Sequence, residues 1–124
     1  MTATVLVVDD ELAIAETLCE VLESVGYRAL SAGNGREGLR VFEAEHPDTV
    51  VSDVMMPQLD GREMVRAIRA TERGRHIPVI LMSAAREMGK DPSIGHDVFL
   101  EKPFDLDEFI GHVERLSGSR EAGA

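Results

Sequence analysis

The chain holds little that would mark a secreted, membrane-spanning or nucleic-acid-binding protein. Cys19 is its one cysteine, so no internal disulfide framework is available and a reducing cytoplasm is the expected compartment. No apolar run nears the roughly 20 residues that span a bilayer. Met-Thr-Ala-Thr-Val at the start lacks the basic flank and apolar core of a signal peptide, so no membrane role is expected. Bases are scarce: 13 lysines and arginines against 23 acids leave a formal charge of −10. A nucleic-acid surface needs a basic face to neutralise phosphates, which argues against such a partner for this domain. There is no internal repeat, no low-complexity segment, and no glycine loop after the first apolar run that could cradle a cofactor phosphate. His46, His76, His96 and His112 show no close metal-ligand spacing and read as surface or cap residues.

What is present suits one ordinary globular domain. At 124 residues, 44% hydrophobic and 29% charged, the chain is long enough for a full core. Residues 1–117 are expected to form the domain and 118–124, small and polar, a flexible tail. Apolar runs of strand length occur at Thr4–Val8, Tyr27–Ser31, Thr49–Ser52, Val79–Met82 and Val98–Leu100. Helical spacing follows the first through Leu12, Ala15, Leu18, Leu22 and Val25, with Gly26 as the stop. Asn34 is placed to cap a second helix, and Asp60 with Glu63 forms a capping-box pattern ahead of Met64, Val65 and Ile68. Asp105 with Glu108 repeats that pattern before a last helix through Phe109, Ile110, Val113 and Leu116. Residues 85–97 contain Gly89, Pro92 and Gly95, which leave room for only a short or broken helix. The charge is uneven. Residues 9–27 carry six acids and no base, and residues 61–75 carry five arginines and two acids. Solvated helix faces explain this more simply than a partner surface.

Strand and helix thus alternate five times, which predicts an α/β fold: a doubly wound five-stranded parallel sheet with helices on both faces. In such sheets ligand chemistry sits beyond the carboxyl ends of the strands. Asp9, Asp10, Asp53, Ser83 and Lys102 all fall at those ends. Carboxylates gathered there repel one another unless a cation sits among them. Their hard oxygens suit Mg²⁺, which keeps waters and favours phosphate. A metal with a lysine matches the charge that spreads over a transferring phosphoryl group. The Ser83 hydroxyl and the Ala84 amide could donate to a remaining oxygen, and Asp53 could attack phosphorus to give an aspartyl phosphate. Taken singly each residue has a plainer reading. Asp53 is then a turn acid, Asp9 or Asp10 a helix cap, Ser83 a strand-end hydroxyl, Lys102 a solvated base and Phe99 core. Met55, Met56, Met64 and Met82 read as packing, and Cys19 as an inert buried thiol.

Four motifs in order decide between these readings: Val-Asp-Asp-Glu at 8–11, Asp-Val-Met-Met-Pro-Gln-Leu-Asp-Gly at 53–61, Ser-Ala at 83–84 and Phe-Leu-Glu-Lys-Pro-Phe at 99–104. Over about residues 4–116 the chain resembles the receiver domain of bacterial two-component response regulators, and is similar to the stand-alone chemotaxis type. The resemblance implies a flavodoxin-like strand order 2-1-3-4-5. It implies a phosphoryl group taken by Asp53 from a phosphohistidine on a sensor histidine kinase or histidine phosphotransfer protein. Mg²⁺ would be held by Asp10, Asp53 and the Met55 backbone carbonyl, with Asp9 acting mainly through water. Lys102 would pair with the phosphoryl group and be followed by a cis bond to Pro103. Ser83 and Phe99 would move as a switch, read by an unidentified downstream protein.

The chain departs from the pattern in one place. Ser83 and Lys102 stand 19 positions apart, about three fewer than the family's usual fourth helix would take. A shortened fourth helix puts family-style dimerisation through that face in doubt. Met55 and Ala85 flank the site where the family tunes phosphoryl lifetime, and neither can orient a water, so slow loss of the group is expected. Two other readings compete. A phosphatase or phosphotransferase would need a second general acid and a substrate cap, for which 124 residues leave no room. A receiver-like module that is never phosphorylated usually lacks an acid or the lysine, and all are kept here.

Overall fold

The computed structural model describes residues 3–123, with side chains through Ser117. Five strands, β1 (Thr4–Val8), β2 (Arg28–Ala32), β3 (Thr49–Asp53), β4 (Val79–Ser83) and β5 (Val98–Glu101), form one parallel sheet in the order β2-β1-β3-β4-β5. Four helices accompany them: α1 (Leu12–Ser24), α2 (Gly35–Glu45), α3 (Gly61–Arg69) and α4 (Leu106–Gly123). The winding reverses between β1 and β3, as the expected strand order requires. The expected flexible tail, 118–124, falls on residues whose side chains lie outside the described ones, and Ala124 lies outside them altogether.

Every residue of β1, β3 and β4 is buried, which is why these runs are apolar without alternation. Successive side chains still point to opposite faces. Leu6, Val8, Val50, Val79 and Leu81 meet Phe42 of α2 and Met64, Val65 and Ile68 of α3. Val5, Val7, Val51, Ile80 and Met82 meet Ala15, Leu18 and Leu22 of α1 and Phe109 and Val113 of α4. Each large side chain so enclosed stabilises the fold by about 1.5–3 kcal/mol relative to exposure, so the two layers fix the sheet between them.

Helix ends follow local chemistry. Asn34 Oδ1 accepts from the Glu37 amide at 2.9 Å to start α2. At α3 both halves of the capping box form: Asp60 Oδ1 accepts from Glu63 N–H at 3.0 Å, and Glu63 Oε1 accepts from Asp60 N–H at 3.1 Å. Asp105 instead accepts from the Asp107 amide, so the second box pattern resolves into a tighter turn. Gly26, at φ +100°, ends α1 while the Tyr27 amide bonds back to the Leu22 carbonyl. His46 closes α2 in the left-handed region at φ 50°. At α1 the N-cap is Glu11, with no side-chain cap.

Between β4 and β5 no α-helix forms among the described residues. Two 3-10 turns, Arg86–Gly89 and Pro92–Ile94, take its place, as Gly89, Pro92 and Gly95 foretold. Arg69, at the end of α3, ties the end of this segment to the loop that precedes β4. Its guanidinium donates to the carbonyls of Gly74 (2.9 Å), Ile77 (2.6 Å) and Gly95 (2.8 Å), and to Asp97 at 3.1 Å. Asp97 in turn accepts from the Val79 amide at 2.8 Å, at the start of β4. Arg69→Ala would take this donor from three carbonyls and leave Asp97 with the Val79 amide. Urea unfolding should show a loss of roughly 2–4 kcal/mol. Arg69→Lys should recover less than half, because a point ammonium cannot serve the forked set. A loss below about 0.5 kcal/mol for Arg69→Ala would contradict this role.

Candidate functional site

The strand registers set the site. Val8 pairs with Ser52, Asp53 with Met82, and Ser83 with Glu101. Residues just past β1 and β5, and those ending β3 and β4, therefore lie along one rim. Asp9 is anchored by its own amide to the Ala32 carbonyl at 3.1 Å, while Asp9 Oδ1 accepts from Glu11 N–H at 2.9 Å. This acid thus steers the entry to α1 without capping it. Its other oxygen, Oδ2, accepts from Lys102 Nζ at 3.2 Å. The same ammonium lies 3.4 Å from Asp53 Oδ1. Carboxylate oxygens of Asp9, Asp10 and Asp53 come within 4.8 Å of one another. Asp9 is 1% exposed and Asp53 7%, whereas Asp10 is exposed.

Backbone packing holds Asp53 in place. The Val54 amide donates to the Met82 carbonyl at 2.9 Å, and the Gly61 amide donates to the Val54 carbonyl at 2.8 Å. A Cβ on Gly61 would overlap the Asp53 carbonyl oxygen, so only glycine lets α3 begin directly against β3. Lys102 is fixed at its backbone, its amide donating to the Ser83 carbonyl at 2.9 Å, and the Lys102–Pro103 peptide is cis.

Electrostatics follow from three acids facing one ammonium. Burial pushes the Asp53 carboxyl up from its ordinary value; Lys102 pulls it back, and the charges of Asp9 and Asp10 push it up again, with a net upward result. For Lys102 burial opposes the charge, but Asp53 and Asp9 hold its ammonium above its ordinary value. Both groups bind their proton more tightly when folded, so both contributions to stability fall as pH rises. The Lys102 pairing contributes fully below the unfolded value of about 10.4 and is lost as pH rises through the higher folded value. Asp53 binds its proton more tightly when folded, so its ionisation costs stability once pH exceeds about 3.9. One lysine is too little positive charge for this cluster. Oxygen donors at this spacing fit a small hard dication, with Asp9, Asp10 and Asp53 as the side chains able to hold it.

The remaining expected residues are arranged around this centre. Ser83 is buried, and its Oγ accepts from the Ala85 amide at 3.0 Å, leaving the hydroxyl proton free to donate elsewhere. Ala84 is exposed in the loop beyond β4. The Met55 side chain points outward, 57% exposed. Phe99 stands apart from the acids. It lies opposite Leu81 in the β4–β5 pairing and packs into the layer that faces α2 and α3. Cys19 is half-buried, its thiol pushed up by burial and then by Glu23, in keeping with an inert group. His96, expected to be a surface or cap residue, is instead half-buried, bonded through Nε2 to the Gly89 carbonyl and edge-on to Phe99.

Two supporting residues escaped the sequence reading. Gly61 was seen only as the opening of a helix, and its contact with the Asp53 carbonyl has no signature in one chain. Arg69 did leave a trace: it stands four residues after Val65, on the margin of the buried stripe, where a long side chain is half-covered.

Comparisons with known proteins agree with this arrangement. The profile of the response regulator receiver domain matches residues 5–114. Response regulator MprA of Mycolicibacterium vanbaalenii is 40% identical over 121 residues, covering 94% of this chain and 51% of that protein. The probable transcriptional regulator ycf27 of Cyanophora paradoxa is 36% identical over 115 residues, covering 90% of this chain and 47% of that protein. The chain spans about half the length of the curated relatives it matches. Among solved structures, chemotaxis protein CheY4 of Vibrio cholerae is 28% identical with a TM-score of 0.88, covering 94% of this chain and 99% of that one. The receiver domain of sensor histidine kinase PA1611 from Pseudomonas aeruginosa is 30% identical with a TM-score of 0.85, covering 95% and 99%. That structure has a magnesium ion coordinated in its active-site cleft. This chain belongs to the response regulator receiver-domain family of two-component signalling proteins.

The packing of Gly61 yields a direct test. Gly61→Ala should destabilise by roughly 2–3 kcal/mol, because backbone must move. Gly111→Ala, with nothing within 4 Å of the added carbon on an exposed turn of α4, should stabilise by up to about 1 kcal/mol. Chemical denaturation of both variants checks the contrast, and equal effects would refute it.

Proposed function

We propose that Asp53 is a phosphoacceptor and that the chain signals by switching conformation when it is phosphorylated. The observation that carries this reading is a nearly buried carboxylate ending a central strand, 3.4 Å from a lysine and grouped with two further acids. The phosphoryl group would come from a phosphohistidine of a sensor histidine kinase or histidine phosphotransfer protein. The P–O bond to Asp53 forms as the P–N bond breaks, and the imidazole leaves with the bonding pair. Asp10, Asp53 and the Met55 backbone carbonyl would hold Mg²⁺, with Asp9 acting through water. When bound, the ion offsets the negative charge of the phosphoryl oxygens. Lys102, kept charged by Asp53 and Asp9, faces the same oxygens. The Ser83 hydroxyl and the Ala84 amide donate to an oxygen left over, and Phe99 turns inward as Ser83 moves.

Self-phosphorylation at Asp53 and its slow reversal are the only chemistry assigned to the chain. It would act in the cytoplasm on a downstream protein. Among the described residues no helix is long and apolar enough to cross a membrane. The broken segment between β4 and β5 offers no continuous helix for family-style dimerisation.

The test is intact mass after incubation with Mg²⁺ and acetyl phosphate. Wild type should gain one phosphoryl group and Asp53→Asn none; an unmodified wild type would favour a module that is never phosphorylated. Lifetime gives a second test. Met55 is exposed and carries no group that can orient water. Met55→Asn should therefore speed decay of the phosphorylated protein by about threefold to tenfold. Unchanged or slower decay would contradict the assignment.

A further inference from the structure

The turn Arg86–Gly89 lies against Phe99 more closely than any side chain would allow. A Cβ on Gly89 would overlap Cγ and Cδ1 of the ring, so bare backbone covers Phe99. His96 holds that backbone down. Its Nε2 is 3.0 Å from the Gly89 carbonyl, and since a carbonyl only accepts, Nε2 carries the proton and donates. The same imidazole stands edge-on to Phe99, centroids 6.4 Å apart at 67°.

The other ring nitrogen is the telling one. Nδ1 of His96 is buried without a hydrogen-bond partner among the described residues. Such an orphan carries a penalty that is relieved when water reaches it. The His96 hydrogen bond and ring contact, together with Met88 packed against the core, hold the turn closed, and the orphaned Nδ1 is a standing cost set against them. The two ends of the segment differ accordingly. Ile94 is buried, and Gly95 and Asp97 are fastened by Arg69. The stretch 90–93 is exposed and leads to the turn, whose other ties are Met88 against the core and the surface ion pair of Arg86 with Glu101. Ser83 is wired to the turn as well: its Oγ accepts from Ala85 N–H, and the Ala85 carbonyl accepts from Met88 N–H.

We propose that His96 is a positioning residue for Phe99: by gripping the Gly89 carbonyl it latches the turn Arg86–Gly89 over the ring, and the latch is released when the ring turns away. The inference rests on the reading of Asp53 as phosphoacceptor, with Ser83 and Phe99 responding to it. When Phe99 turns inward, Gly89 loses the ring beneath it and His96 loses its edge contact, so the turn lifts while 94–97 stay in place.

Amide hydrogen exchange, read at Met88 and Lys90 in the turn and at Ile94 and Asp97 in the fastened part, tests this on wild type, His96→Phe and His96→Gln. Phenylalanine keeps a ring and loses the donor; glutamine keeps a donor near the Nε2 position and loses the ring. Without phosphorylation, His96→Phe should speed exchange at Met88 and Lys90 about tenfold and leave Ile94 and Asp97 unchanged, and His96→Gln should stay within about threefold of wild type. Wild type treated with Mg²⁺ and acetyl phosphate should show the same two amides accelerated. Exchange in His96→Phe that matches wild type, or rises equally at all four amides, overturns the latch. A phosphoryl adduct by mass with no change at Met88 and Lys90 overturns its coupling to the site. Absence of any adduct overturns the phosphoacceptor reading and the coupling with it, while the unphosphorylated comparison still decides the latch.

Discussion

One ammonium faces three carboxylates at the rim of this sheet, and the rest of the structure keeps that imbalance in place. Lys102 Nζ reaches both Asp9 and Asp53, at 3.2 and 3.4 Å, while Asp10 adds a third charge beside them. Left to itself such a cluster would spread or take up protons. It cannot spread, because Asp53 ends a strand buried on both faces and Asp9 is fixed at its amide and at one carboxylate oxygen. The three carboxylates are therefore kept together as a group able to hold a cation.

The fold serves that end through close backbone contact as much as through its core. Gly61 lets α3 start against the Asp53 carbonyl, and the capping box of Asp60 and Glu63 fixes the direction in which it leaves. Burial of Asp60 opposes its charge, yet the Glu63 amide and Arg62 overcome this and hold its carboxyl below the ordinary value. On the far side, Arg69 does for the β4–β5 connection what a packed helix would otherwise do. It joins carbonyls of the loop before β4, Gly74 and Ile77, to that of Gly95 beyond the second 3-10 turn.

The sequence was most legible where local chemistry acts alone. Fully buried strands announced themselves as short runs with no polar alternation, and Asn34 and Asp60 cap helices because their side chains reach the third amide on. The rim was legible because each of Asp9, Asp10, Asp53, Ser83 and Lys102 closes or follows such a run, and parallel registers bring those ends together. Glycine and proline foretold the broken segment between β4 and β5. Contacts made across the chain were hidden. The approach of Gly89 to Phe99, the grip of His96 on Gly89 and the reach of Arg69 to Gly95 join residues whose spacing carries no periodic signal. The start of α1 misled for a related reason: Asp9 spends one oxygen on the Glu11 amide and the other on Lys102, a partner 93 residues away.

The affinity of this cluster for a cation can be measured without any phosphoryl group. Thermal unfolding of wild type, Asp10→Asn and Asp53→Asn at constant ionic strength, as Mg²⁺ replaces Na⁺, reads it directly. The account predicts that wild-type stability climbs with magnesium concentration, by about 2.7 kcal/mol at a hundredfold excess over the dissociation constant, and that each variant loses most of this gain. A wild type indifferent to Mg²⁺, or variants that respond as strongly as wild type, would contradict it.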